Sequence, residues 1–127
     1  MRTETLHPFA AKYPPPREHL ADPHRFVRQP ITLRRAWPDS VNDYVATVSN
    51  QNLGRVTLER RAGDLMVWSW SVTGPDLPRN LKPGGGDCET LAQAKAAVRS
   101  VFDSWLEWAK SQQGFVTWWG SDSRQII

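Results

Sequence analysis

The sequence predicts an α+β fold: a three-stranded antiparallel β-meander packed on one C-terminal amphipathic α-helix, within residues 43–111. Three observations predict it. Apolar and polar residues alternate through three short runs between Tyr44 and Val72. Asn- and Gly-containing turns separate those runs, and one apolar stripe of helical period follows from Leu91 to Ala109.

In the first strand Tyr44, Ala46 and Val48 alternate with Val45, Thr47 and Ser49, and Asn50-Gln51-Asn52 is the expected turn. The second strand runs from Gly54 to Arg61, and Ala62-Gly63-Asp64 returns the chain to a third strand from Leu65 to Val72. One face should carry Tyr44, Ala46, Val48, Val56, Leu58, Met66, Trp68, Trp70 and Val72. The other should carry Thr47, Arg55, Thr57, Glu59, Arg61, Ser69 and Ser71. One apolar and one wet face is the mark of an antiparallel sheet covered on a single side.

Residues 73–87 read as a Pro- and Gly-rich crossover loop. Thr90 with Gln93 fits a capping box, and the helix should run to about Gln113, with Gly114 as its stop. Leu91, Ala94, Val98, Val101, Phe102, Trp105 and Ala109 form its apolar stripe, which needs the Trp68/Trp70 face as a partner.

Three regions result: a Pro-rich basic arm (1–41), the βββα unit (42–113) and a Trp-rich C-terminal tail (114–127). Residues 1–30 hold six of the ten prolines and all three histidines, so the arm reads as irregular, with a polyproline II stretch at Tyr13–Arg17. Within the arm, Ile31–Trp37 alternates well enough to be an extra strand or a docked extended segment. A unit of about 70 residues is small for a self-sufficient core, so apolar residues on either side should complete it or meet a second subunit.

Composition narrows the function classes. The chain has 127 residues and a formal charge of +3. Residues 1–41 carry seven Lys/Arg against four Asp/Glu, residues 42–111 eight against eight, and residues 112–127 one against one. The basic excess therefore lies in the arm, and the folded unit is neutral. One cysteine, Cys88, allows no internal disulfide. Neither a secretory signal nor an apolar run of about 18 residues is visible, so a cytoplasmic setting without membrane attachment is expected.

Enzyme chemistry is poorly provided for. His19, Asp22 and His24 match no ligand spacing, and Pro23 interrupts them, so no metal or other cofactor is expected. Asp87 and Glu89 flank Cys88 and oppose thiolate formation, and no histidine is expected in the core to activate it. Lys82-Pro83-Gly84-Gly85-Gly86-Asp87 lacks the Gly-Lys-Ser/Thr end of a phosphate loop and puts acidic residues at the helix start. Asp103 and Glu107 lie on the polar helix face near Arg99 and Lys110, as solvated charges do. No catalytic residue and no small-molecule substrate are assigned.

Seven tryptophans in so short a chain must supply core or contact surface. Trp68, Trp70 and Trp105 fall on interior faces, whereas Trp37, Phe115, Trp118 and Trp119 lie outside the unit and are the protein-interface candidates. Adjacent tryptophans on an extended segment point to opposite sides, so either one of Trp118 and Trp119 contacts something other than the core or the tail simply docks on it. Arg25, Arg28, Arg34 and Arg35 in the arm and Arg55 and Arg61 on the wet face are nucleic-acid candidates, with Glu59 opposing phosphate approach. A sheet backed by one helix is also the layout of plant AP2 and phage-integrase arm-binding domains, a likeness of layout only.

Gly54-Arg55-Val56, Trp68-Ser69-Trp70-Ser71 with Thr73-Gly74, and Thr90 through Ala97 together resemble a group of small uncharacterised bacterial proteins. The resemblance covers about residues 43–109. It implies the βββα layout and carries no activity. The functional expectation is a non-catalytic binding module acting through a protein partner or self-association. The alternative is a DNA-associated protein using the basic arm and the outer sheet face.

Overall fold

The computed structural model describes residues 19–124. The polyproline reading of residues 13–17 and the ends of the arm and tail lie outside them. Alternation builds a sheet of five strands rather than three, because two segments with weaker patterns add to its edges. The elements are β1 (Leu20–Ala21), a 3-10 turn (Pro23–Phe26), β2 (Ile31–Arg35), β3 (Asp43–Val48), β4 (Gln51–Arg61), β5 (Leu65–Val72), β6 (Gly85–Cys88), α1 (Leu91–Lys110) and β7 (Val116–Thr117). The sheet runs β2-β3-β4-β5-β6 in chain order, antiparallel throughout, and β1 and β7 form a separate two-stranded ribbon.

The β3–β4 turn sits one residue earlier than expected. Ser49 and Asn50 both take positive φ, at 49° and 61°, the conformation whose twist matches a two-residue hairpin. Ala46 pairs with Gly54 but Thr47 pairs with Asn52, so Leu53 is an extra residue in a bulge. The bulge turns Leu53 into the core, where it is fully buried, a position alternation alone does not assign. Gly54 follows because the backbone carbonyl of Ser71 occupies the space a Cβ would need.

β6 forms from glycines within the expected crossover. Gly86 pairs with Trp70, and a Cβ on Gly86 would press against the Trp70 indole, 3.3 Å from its Nε1. Backbone pairing and the neighbouring aromatic ring make this strand, not β propensity. β2 is likewise the 31–37 segment, paired with β3 from Ile31↔Val48 to Arg35↔Tyr44, so the sheet crosses the boundary placed at residue 41.

Thr90 caps α1 with both hydrogen bonds of a capping box, and the helix ends at Lys110, three residues short of the expected end at Gln113. It packs chiefly on β5, with β6 and β4 beside it. Ala94, Val98, Phe102, Trp105, Leu106 and Ala109 are its buried positions. Met66, expected inside, is 44% exposed: it lies opposite Arg60 on the helix-side face, two pairs beyond Trp68↔Cys88, where β6 ends before α1 begins. Phe26, from the arm, is fully buried and closes the core against Phe102 and Trp105. Among the described residues no helix is long and apolar enough to cross a membrane.

Candidate protein interface

The ribbon at the end of the sheet is built by alternation. Ala21 pairs with Val116, both buried, and Leu20 pairs with Thr117 on the outer side. The same period sends Trp118 inward and Phe115 and Trp119 outward. Trp118 is 3% exposed, whereas Phe115 is 64% and Trp119 47% exposed. Trp118 is therefore core, not an interface candidate. Its ring stacks on Phe26, and its Nε1 is buried beside Gly120 without a hydrogen-bond partner among the described residues.

Backbone bonds hold the ribbon to the sheet. Asn52 N donates to the Ser121 carbonyl at 2.8 Å and Ser123 N to that of Asn50 at 2.8 Å, while Trp118 N, donating to the His19 carbonyl at 2.9 Å, extends the ribbon itself. The exposed Trp119 ring rests against His19, centroids 4.9 Å apart. Hollows of about 230 Å³ and 440 Å³ flank the ridge, the first walled by Trp108, Gln112 and Phe115, the second by Arg25, Gln51, Trp119 and Asp122. In the second, Arg124 clamps the Asp122 carboxylate and lowers its pKa to about 2.

Trp37 lies at the other end of the sheet, 62% exposed, on the β2–β3 turn that the Ser40 hydroxyl ties to its backbone. Val41, Leu65 and Met66 are also exposed at that end, since Asn42 bonds to Leu58 and the β4–β5 hairpin projects beyond. The expected interface residues thus do not form one surface. Leu20, which joins Phe115 and Trp119, carried no signal in the sequence because a two-residue strand has no period to read.

The nucleic-acid candidates are largely occupied. Arg55 grips Asp43 with Nε at 2.8 Å and Nη2 at 2.7 Å, and Thr57 donates to the same carboxylate. The Arg55 hydrogen bond holds the Asp43 carboxyl below its ordinary value of 3.8. Arg61 makes a two-point contact with Asp87, at 2.9 and 3.1 Å, and a further one with Glu59. Arg34 donates to the Ser123 carbonyl at 2.9 Å and Arg35 to that of Pro38 at 3.2 Å. Arg25 lies over the Phe26 ring, and Arg28 is exposed at a positive-φ position. On the outer face Arg55 and Arg61 pair with Asp43, Glu59 and Asp87, and with Arg34, which has no ion-pair partner among the described residues, the formal charges there sum to zero.

The residues of expected weak chemistry have structural places. Asp22 accepts from His24 N and caps the Pro23–Phe26 turn. Cys88 is a free, half-buried thiol opposite Trp68. Between β2 and α1 a groove of about 380 Å³ runs along Ile31 and Leu33. Comparison with family models, with curated proteins and with solved structures found no match to this chain.

Proposed function

We propose that this chain is a non-catalytic binding module that associates with a second copy of itself through the outer face of the β1–β7 ribbon. One observation carries the reading: Phe115 and Trp119 are held outward by a strand whose inward members, Val116 and Trp118, are locked in the core. Such side chains have little freedom to lose on contact, which favours aromatic anchors at interfaces. A projecting ridge beside hollows gives a second copy both a knob and a recess to meet, as a two-fold interface uses. The nucleic-acid reading is weakened because Arg55 and Arg61 of the outer face are paired with carboxylates. A reducing cytoplasmic setting accords with a lone free thiol.

Sedimentation velocity over a concentration series tests this. The wild-type chain should pass from monomer to dimer, and Phe115→Ser with Trp119→Ser should stay monomeric with an unchanged thermal midpoint. A wild-type chain that is monomeric at the highest concentration overturns the proposal.

A further inference from the structure

We infer that the open edge of β2 binds an extended segment of a partner protein, alternating apolar and acidic side chains, as a sixth strand of the sheet. This surface lies apart from the ribbon, and the inference does not rest on self-association there.

The backbone register supplies the first argument. Ala36 N donates to Asp43 O at 2.9 Å, one pair beyond Arg35↔Tyr44. In an antiparallel ladder bonded and non-bonded pairs alternate, so Thr32 and Arg34 bond to β3. Ile31, Leu33 and Arg35 then direct their N–H and C=O groups away from β3, along an edge that no other strand covers among the described residues. Such a row is a template for another strand.

Side chains supply the second. Ile31 and Leu33 pair with Val48 and Ala46, both core residues, so they point to the helix side. Because α1 sits over β4 to β6, it leaves a groove of about 380 Å³ beside β2. Its other wall is Lys95, Ala96 and Arg99, with Val98 beneath. The residues that offer free backbone groups are thus those that line an apolar groove. An added strand would place every second side chain in it.

Charge selects the occupant. Two of the five β2 residues are arginines, none is acidic, and no carboxylate lines the groove. Asp103 neutralises Arg99, but among the described residues Arg34, Arg35 and Lys95 have no ion-pair partner. Two copies paired edge to edge would bring four arginines together without a carboxylate, and like charges across strands oppose pairing. A segment with its apolar side chains in the groove sets its carboxylates on the outer face, beside Arg34, and meets that charge instead. Arg34 uses one donor on Ser123 and has others free.

The probe is an eight-residue labelled peptide alternating Val and Glu, titrated into the full chain by fluorescence anisotropy. Binding should weaken with salt, and Arg34→Glu should weaken it by about tenfold or more while admitting a Val/Lys peptide, in which Lys replaces each Glu. N-methylation of alternate peptide amides should abolish binding, and the Leu33 amide should gain protection from hydrogen exchange. Trp119→Ser should leave binding unchanged, which separates this edge from the ribbon. No binding of the Val/Glu peptide at millimolar concentration overturns the inference. So does equal binding of the Val/Lys peptide by the wild-type chain, or indifference to N-methylation. Equal thermal midpoints of variant and wild type exclude misfolding.

Discussion

Phe26 and Trp118 lie stacked with ring centroids 4.6 Å apart and planes 25° apart. One comes from the segment before the sheet and the other from the segment after the helix. Trp105 of α1 meets both, at 6.0 Å from Phe26 and 5.5 Å from Trp118. Three distant parts of the chain thus share one aromatic cluster, so the flanking segments are part of the core.

Trp118→Ala should therefore destabilise the fold by about 3–5 kcal/mol, as truncation of a buried aromatic does. Chemical denaturation monitored by circular dichroism measures it. Trp119→Ala, on the outer side of the same strand, should change stability by under about 1 kcal/mol.

Gly54→Ala should be destabilising although alanine is the better residue for most strands. Its Cβ would meet the Ser71 carbonyl, which is backbone and cannot swing aside. A loss above about 1 kcal/mol is expected, with lowered protection of the β4–β5 amides in hydrogen exchange.

Removing the helix cap by Thr90→Ala should cost about 1 kcal/mol, because the hydroxyl accepts from Gln93 N at 3.1 Å while Gln93 Oε1 accepts from Thr90 N. Thr90→Ser should restore most of the loss in the same thermal melts.

Acid should weaken the fold through Asp43 and Asp122. Both carboxyls titrate below 3.8 when folded, Asp122 at about 2. The unfolded chain then binds more protons in that window, so stability present above pH ~4 falls as pH drops towards about 2. In Asp43→Asn and Asp122→Asn variants the acid limb of the stability–pH curve should flatten. An unchanged limb would show that these two pairs contribute nothing.

The parts of this fold legible in the sequence are those with a period and a boundary signal. Strands β3 to β5 and helix α1 each repeat long enough to show which face is apolar, and the Thr90–Gln93 cap lies within four residues. β6 was not legible because Gly85-Gly86-Asp87-Cys88 has no β preference; it is a strand only because β5 lies beside it. Leu53 was displaced by a bulge, and a single inserted residue shifts alternation without altering composition. For the candidate interface, the opposite directions of Trp118 and Trp119 followed from the strand period, but which of them faced the core did not.

Local rules, then, determined strands β3 to β5, helix α1 and the neutral balance of the middle of the chain. Tertiary structure decided what the two flanks are for. Phe26, Ile31, Leu33, Val116 and Trp118 have neither helical nor long strand periods of their own, and their burial depends on surfaces made by residues dozens of positions away. The arginines of the wet face met their carboxylates in the same manner, Arg55 across one strand pair and Arg61 across 26 residues. Such pairings depend on distance in space, and alternation along the chain records only direction from the backbone.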